Sequence, residues 1–328
     1  MRALADQRTR GIVVLTAALT IAAIALPRSA PSAPTVQSID LCAKSGTTTL
    51  PGGASVPIWG FALKPDGVAC GDAAVVATTP GPQLTVGAGD TVTLRVTNAL
   101  PGGRTIALEA PGVDFDAGPT DAAPGDTVSR TFTAVPGTYL YASSGGGGRQ
   151  QAMGLAGALV VRSATAGQAY DTAASAFDAE QTLVLSEIDP ALNGSANPDT
   201  YNMLQWHPTY WLINGKAHPD TDTVDARAGQ RLLLRYVNAG LEHVTMTMLG
   251  LDTRLVARDA YALDSPFSVV AETFAAGATA DGIVAIPSGA SAGDRFAVYD
   301  RQLHLTNGAI GDPAHDPGGM LTFVRVVP

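Results

Sequence analysis

The sequence predicts an all-β protein made of two tandem Greek-key β-sandwiches. Glycine and proline contribute 36 and 22 of the 328 residues, and this density of turn formers favours many short strands over long helices. No segment sustains the 3.6-residue apolar period of an amphipathic helix. A long motif also recurs at an offset of 140 residues, which indicates domain duplication because solenoid repeats are only about 20–50 residues long.

The repeated motif defines the strands of each half. LTVGAGDTVTLRVTNA (Leu84–Ala99) aligns with VDARAGQRLLLRYVNA (Val224–Ala239), so that Arg95 corresponds to Arg235. Each copy reads as a strand, a turn and a second strand of β-branched and aliphatic residues. The ends of the halves correspond as well, since GTYLYASS before GLAGALVV parallels DRFAVYD before GGMLTFVRV. We therefore expect seven to nine strands in each sandwich, about the number in an immunoglobulin-type domain.

The N-terminal segment, residues 1–35, is predicted to be a signal peptide or an N-terminal membrane anchor. Three arginines precede the uncharged run GIVVLTAALTIAAIAL over residues 11–26, which is the arrangement of a Sec-type export signal. The run is slightly shorter than the about 17–25 residues of a spanning helix, so an uncleaved anchor is the alternative. We expect the rest of the chain to be exported to the periplasm, the cell surface or the medium. It divides into a first domain over 36–165 and a second over 178–328, with a linker of small residues within Ser163–Ala179.

Charge and cysteine content limit the partners and the compartment. The net charge is −9, and the chain has no cluster of lysines and arginines of the kind that binds nucleic acid. Cys42 and Cys70 flank turn-rich sequences, and in an oxidising compartment they are predicted to form a disulfide. A reactive or metal-binding pair is the alternative, which the long spacing between the two cysteines disfavours.

Two segments carry a family resemblance. PGPQLTVGAGDTVTLRVTNALP (Pro80–Pro101) resembles the opening of the first cupredoxin domain of multicopper oxidases. YWLINGKAHPDTDTVDARAGQRLLLRYVNAG (Tyr210–Gly240), followed by LVARDA (Leu255–Ala260), resembles their second domain. The similarity covers most of residues 75–328 and implies two cupredoxin sandwiches and, by default, copper. Whether copper binds has to be argued from the site and not from the fold.

The positions of the copper ligands depart from the family pattern. The resemblance implies two His-X-His pairs in the first domain. Ala107 and Glu109 stand at one pair, and Ala142 and Ser144 stand at the other, in a Tyr-Ala-Ser-Ser sequence. The first histidine of the chain is His207, so the first domain has no imidazole. The family's full ligand set also needs more than the five histidines present, and we predict that copper chemistry of the laccase type is lost.

A reduced copper site in the second domain is the alternative. A blue-copper centre needs a cysteine thiolate beside histidines, and no cysteine follows Cys70. The ligands of a reduced site would be His304, His315, Met320 and His243. His315 and Met320 have the spacing of the two later ligands in a blue-copper loop, but turn histidines beside a buried methionine give the same pattern. We therefore predict no cofactor, with copper as the alternative.

Several further candidates are interpreted as structural residues. The acidic turn GVDFDAGPTD, with Asp114, Asp116 and Asp121, could hold Ca²⁺. The spacing of these residues is wrong for a calcium loop, however, and a glutamate ligand is missing. The glycine run Gly145–Gly148 lacks the Lys-Ser/Thr of a phosphate loop and is interpreted as a flexible loop. The others are His207 and His218, which each precede a proline, and Met246 and Met248, which lie two residues apart on one face of a predicted strand.

These inferences combine into one functional prediction. The chain is expected to be an exported cupredoxin protein of multicopper-oxidase ancestry without catalytic copper. It would serve as a binding or scaffold protein of the cell envelope, with an unidentified envelope protein or ligand as partner. The alternative is a copper-dependent oxidoreductase that uses the reduced site in the second domain.

Overall fold

The structure, a computed structural model that describes residues 34–311 and 315–328, has β-strands as its main regular elements, joined by turns and loops and by a few one-turn helices. Nearly all of the predicted export segment, up to residue 33, lies outside the described residues. Among the described residues, no helix has the length and apolar character needed to cross a bilayer. The first nine strands are β1 (Val36–Thr49), β2 (Ser55–Leu63), β3 (Leu84–Gly87), β4 (Thr91–Asn98), β5 (Ile106–Glu109), β6 (Asp121–Ala122), β7 (Thr127–Thr133), β8 (Gly137–Ser143) and β9 (Ala156–Arg162).

These nine strands form the first sandwich. One sheet has the order β2-β1-β4-β7 and the other has the order β3-β9-β8-β5-β6. β4 shows why the sheets pack face to face, because Val92, Leu94 and Val96 alternate with polar residues and are almost completely buried. Such alternation places one side of each strand in the core and the other side outside it.

The remaining strands form the second sandwich. Its sheets have the orders β11-β10-β13-β18-β15-β16 and β12-β22-β19-β14-β17, and a short β20-β21 pair lies beside them. The strands are β10 (Ala179–Ile188), β11 (Tyr210–Ile213), β12 (Val224–Arg227), β13 (Arg231–Asn238), β14 (Val244–Met248), β15 (Thr253–Arg258), β16 (Tyr261–Val269), β17 (Ala271–Phe274), β18 (Thr279–Ala285), β19 (Arg295–Asp300), β20 (Thr306–Asn307), β21 (Asp316–Pro317) and β22 (Leu321–Val327). Two sandwiches confirm the predicted fold class.

The nine strands of the first sandwich have counterparts in the second, as the repeat predicts, whereas β15, β16, β20 and β21 are additional, so the second sandwich exceeds the expected seven to nine strands. β1 pairs in parallel with β4, and β10 pairs in parallel with β13. Gly89 and Gly229 both adopt a left-handed conformation, with φ of 83° and 79°, which glycine tolerates without steric cost. The buried amides of Asn98 and Asn238 each donate to one backbone carbonyl of the following loop and to one carbonyl of a later strand, β6 or β17. The shared motif therefore encodes a glycine turn and a buried asparagine at the end of the second strand.

The segment between the sandwiches, predicted as a linker of small residues, packs against the second sandwich. Ala169 and Tyr170 are buried and pack against Leu233 and Ile283 of the second sandwich. Ser175 donates its hydroxyl to the carbonyl of Tyr170 and fixes the turn between them. The burial of Tyr170 against the neighbouring sheet is not visible in the local composition of this segment, which is small and polar.

The sandwiches contact each other through small side chains. The apolar cluster at this interdomain contact contains residues of β8 and β9 on one side and of β10, β13 and the residue after β13 on the other. Its members are Leu140, Ala142, Ala156, Ala158, Val184, Val237 and Ala239. Because the alanine side chains are small, the two sheets can pack closely against each other at this contact.

Candidate functional site

The structure brings the four positions of the implied His-X-His pairs together. β5 and β8 pair antiparallel, with Glu109 opposite Ala142. The backbone N–H of Ser144 donates to the carbonyl of Ala107 (3.1 Å), and the N–H of Ala107 donates to Ser143 Oγ (2.9 Å). Alternation along the strands then places positions 107, 109, 142 and 144 on one face of this strand pair.

The donor set at this face does not fit copper. Ala107 and Ala142 present methyl groups, and Ala142 belongs to the apolar interdomain cluster. Ser144 donates its hydroxyl to Glu109 Oε1 (2.5 Å), so the two polar side chains are bound to each other. A hydroxyl and one carboxylate are oxygen donors, which suit hard cations and not the imidazole- and thiolate-preferring copper of this fold.

The glycine run that follows β8 has a structural role. Gly146, Gly147 and Gly148 have φ of 70°, 63° and 85°, and these left-handed residues turn the chain into the one-turn helix α1 (Arg149–Ala152). The helix buries Gln150, whose Oε1 accepts a hydrogen bond from the Ser143 hydroxyl and whose Nε2 donates to a backbone carbonyl. The run, interpreted from sequence as a flexible loop, is an ordered turn that positions Gln150.

In the second domain, His304 is oriented by its neighbours. Its Nδ1 lies 2.5 Å from Asp300 Oδ2, and its ring stacks on Trp211 with centroids 3.4 Å apart. Asp300 is fully buried and also accepts the backbone N–H of Thr245 (2.8 Å). A carboxylate on one ring nitrogen leaves the other nitrogen as the one available for a ligand.

The other proposed ligands do not gather around His304. Met320 donates its backbone N–H to the carbonyl of His304 (2.9 Å), but its side chain is fully buried in the second core. His315 Nδ1 lies 3.2 Å from the carbonyl oxygen of Gly308, and His243 is exposed. Within residues 34–311 and 315–328, no group of three or more histidine, cysteine, aspartate or glutamate side chains could hold a metal ion.

Both cysteines are used in a disulfide. Cys42 and Cys70 are bonded to each other, and they are the two cysteines of the chain. A thiolate ligand for copper would require this bond to be reduced first. Lys44 reinforces the closed segment because its ammonium donates to the carbonyls of Cys70 and Val75 (2.7 Å each).

The buried methionines and Asp116 of the acidic turn have structural explanations. Met246 and Met248 are buried in the second core. Asp116 accepts the backbone N–H of Thr131 (2.9 Å) and forms an ion pair with Arg130 (3.4 Å). These contacts use the side chains for packing and turn formation.

Sequence reasoning missed a buried polar network at the interdomain contact. Arg235 is 1% exposed; its Nε donates to Glu180 Oε2 (3.0 Å) and its Nη1 donates to Thr138 Oγ1 (3.0 Å). Asp281 is fully buried, lies 3.4 Å from Arg235 Nη1, and accepts from Thr138 Oγ1 (2.7 Å) and from the Tyr170 hydroxyl (2.6 Å). Burial and the Asp281 charge raise the pKa of Tyr170, so this phenol stays protonated and donates.

Glu187, at the end of β10, is a second buried charge that sequence reasoning missed. Its Oε1 accepts the backbone N–H groups of Leu241 and Glu242, whereas its Oε2 and the neighbouring Ser186 Oγ have no hydrogen-bond partner in the part of the chain that the structure describes. Burial raises the pKa of Glu187 to about 7, because the charged form loses water. Both missed groups had a signal in the sequence: a charged residue inside an apolar strand, as in LLLRYV and LVLSEI.

The chain is similar in sequence and in structure to known copper proteins. Residues 66–166 match the sequence profile described as "Multicopper oxidase". A blue copper oxidase from Nitrosomonas europaea has a similar structure, with a TM-score of 0.70 and 21% identity, covering 89% of this chain and 86% of that one. The protein has the multicopper oxidase fold.

Copper nitrite reductase from Nitrosomonas europaea shares this multicopper oxidase fold as well, with a TM-score of 0.67 and 19% identity over 89% of this chain and 94% of that one. The multicopper oxidase mgLAC gives a TM-score of 0.70 and 21% identity over 90% and 87% of the two chains. No curated protein sequence matches the chain significantly.

Proposed function

We propose that the protein is a cupredoxin-fold binding or scaffold protein of the cell envelope and not a copper oxidase. The observation that carries the proposal is the strand pair β5–β8, where positions 107, 109, 142 and 144 lie together and offer no nitrogen or sulfur side-chain donor. Oxidation by O₂ on this fold needs a thiolate-ligated copper that accepts electrons and an imidazole-held cluster that reduces oxygen. The chain supplies neither donor set.

The location in the envelope is supported by the N-terminal sequence. A basic start followed by the uncharged run over residues 11–26 is the pattern of an export signal. The Cys42–Cys70 disulfide agrees with an oxidising compartment, where such bonds persist. We propose that the segment is a signal peptide, with an uncleaved anchor as the alternative, and that the partner is an envelope protein or ligand.

A copper-binding protein with a single site in the second domain is the second candidate. One observation favours it: Asp300 holds His304 through Nδ1 (2.5 Å), as carboxylates hold the ring of metal-bound histidines. Met320 would be its soft ligand; this residue donates its backbone N–H to the His304 carbonyl (2.9 Å), and its side chain is fully buried.

Spectroscopy and turnover separate these two functions. Purified protein supplemented with Cu(II) and then desalted is expected to lack the intense visible absorbance of a copper–thiolate bond. It is also expected not to oxidise phenols with O₂. A blue band, or phenol oxidation that co-purifies with the protein and disappears with a chelator, would contradict the proposal.

A variant with histidines restored at two positions provides a control. Ala142→His together with Ser144→His is expected not to rescue oxidase activity, because positions 107 and 109 and the thiolate would still be missing. If this variant became an oxidase, the remaining donors would have to come from residues that we consider structural, and the proposal would be wrong.

A further inference from the structure

A cavity of about 180 Å³ lies between the first sandwich and the turn that joins β15 to β16 in the second sandwich. Positions 107, 109, 142 and 144, which would hold copper ligands in the resembled family, do not line this cavity. Its role is therefore independent of whether the protein binds copper. Most of its lining side chains are apolar or aromatic. They include Val113, Phe132, Val135, Tyr139, Val161 and Tyr261.

Two aromatic walls are fixed by contacts within the first sandwich. The hydroxyl of Tyr139 donates to the carbonyl of Val135 (2.9 Å), and burial raises the pKa of Tyr139 to about 12, so this group stays neutral. Phe132 packs against Phe115 edge to face, with ring centroids 5.4 Å apart. The walls are therefore in place before a ligand arrives, which lowers the entropic cost of binding.

The third aromatic wall is presented by an unusual turn. Asp259 and Ala260 adopt left-handed φ values of 48° and 64°, which non-glycine residues retain only where the surrounding structure imposes them. Asp259 is held by reciprocal bonds to Thr279, since its N–H donates to the Thr279 carbonyl (2.8 Å) and its Oδ1 accepts the Thr279 N–H (3.0 Å). Gly137 permits the approach, because a Cβ there would lie 2.7 Å from the Ala260 Cβ.

The mouth of the cavity has an acidic group and no basic one. Asp114 lines the cavity, is exposed, and has no hydrogen-bond or ion-pair partner among the described residues. Tyr261 is 71% exposed at the same cavity. The lining contains no lysine, arginine or histidine, so the local charge favours a cation and opposes an anion.

We propose that this cavity binds a small alkylated ammonium ion. Aromatic rings attract such cations through their negative faces, and three rings with a nearby carboxylate are the recurring arrangement for quaternary ammonium groups. The volume of about 180 Å³ slightly exceeds the roughly 150 Å³ cavity that takes up benzene, and it suits a trimethylammonium group with a short tail. The occupant is a soluble organic cation, and binding involves no bond making or breaking.

Titration with choline, followed by amide NMR of the full chain, tests the proposal. Choline is expected to give saturable shifts at Gly112 and Ala260, which both line the cavity. Its neutral isostere 3,3-dimethylbutan-1-ol is expected to bind about fivefold more weakly, because it lacks the charge that interacts with the rings. Equal affinity of the two compounds, or no saturation with choline, would overturn the proposal.

Two variants localise the interaction without disturbing the core. Tyr261→Ala removes an exposed ring and is expected to weaken choline binding about tenfold. Asp114→Asn is expected to weaken it about threefold while leaving the isostere unaffected. Asp252→Asn is the matched control, since Asp252 is also exposed but lies outside the cavity. Choline affinity that is unchanged in both Tyr261→Ala and Asp114→Asn would place the binding elsewhere and contradict the assignment.

Discussion

The two sandwiches have equivalent sheets whose outer faces are covered in different ways. In the first, Cys42 on β1 packs with Ala62, Val75 and its disulfide partner Cys70. The equivalent residue on β10 is Val184, and it packs against strands β8 and β9 of the first sandwich. One outer face is closed by a loop of its own chain segment and the other by a neighbouring domain.

Arg95 and Arg235 show the same difference at one position of the repeat. Arg95 is 44% exposed and pairs with Asp40 (2.7 Å). Arg235 is 1% exposed and is held by Glu180, Asp281 and a threonine of the first sandwich. The same residue in the same strand is a surface ion pair in one copy and part of the domain contact in the other. A duplicated strand pattern thus sets the inner core, whereas the neighbouring surface sets the energetics of the outer face.

Substitution of the two arginines by leucine is expected to give the largest contrast. Arg235→Leu leaves Asp281 buried without its cation and should lower the free energy of unfolding by about 3–5 kcal/mol. Arg95→Leu removes an exposed pair and should cost at most about 1 kcal/mol. Denaturant unfolding of both variants beside the wild type measures the difference. Equal losses would mean that the network at the domain contact does not have the importance that its burial indicates.

Removal of the disulfide tests the other outer face. Cys42 and Cys70 are 28 residues apart, and closing a loop of this length is worth about 3–4 kcal/mol in the chain-entropy model. Replacing both cysteines by alanine should lower the free energy of unfolding by that amount, which denaturant unfolding measures. The wild type should contain no free thiol in mass spectrometry under non-reducing conditions. Two alkylatable thiols in the denatured wild type would contradict the predicted bond.

Glu187 provides a pH-dependent contrast between the domains. Its repeat counterpart is the exposed Ser45, since both residues pair with a tryptophan of the next strand, Trp59 or Trp211. The folded state raises the pKa of Glu187 from 4.5 to about 7, so the native protein holds this proton more tightly than the unfolded chain. Its contribution to stability is present below about pH 4.5 and is lost as pH rises towards 7.

The Glu187→Gln variant isolates this effect. It retains an oxygen to accept the two backbone N–H groups and cannot ionise. The wild type should lose about 3 kcal/mol relative to the variant between pH 4.5 and 7, as measured by unfolding free energies at several pH values. Parallel pH profiles of the two proteins would show that Glu187 does not titrate in this range.

The inner architecture could be predicted from the sequence because it depends on local patterns. The β-branched and aliphatic residues of the repeated motif identified β4 and β13, and the motif placed equivalent turns at Gly89 and Gly229. The proximity of the four ligand positions also followed from the family resemblance, which aligned two strands that are adjacent in the sheet.

The outer contacts could not be predicted because they join residues far apart in the chain. Tyr170 and Asp281 are separated by 111 positions, and the hydroxyl of Thr138 reaches Asp281 across 143. The apolar neighbours of Arg235 signal that it is buried, but they do not identify its partners, and its repeat counterpart Arg95 is 44% exposed. The aromatic cavity likewise depends on a turn of the second sandwich approaching the first, which no local signal encodes.

Copper content tests the central claim most directly. The full chain expressed in copper-supplemented medium, purified and desalted, should contain far less than one copper per chain by elemental analysis, and His304→Ala should not change that content. One tightly held copper per chain in the wild type, lost in His304→Ala, would contradict the account and establish a metal site in the second domain.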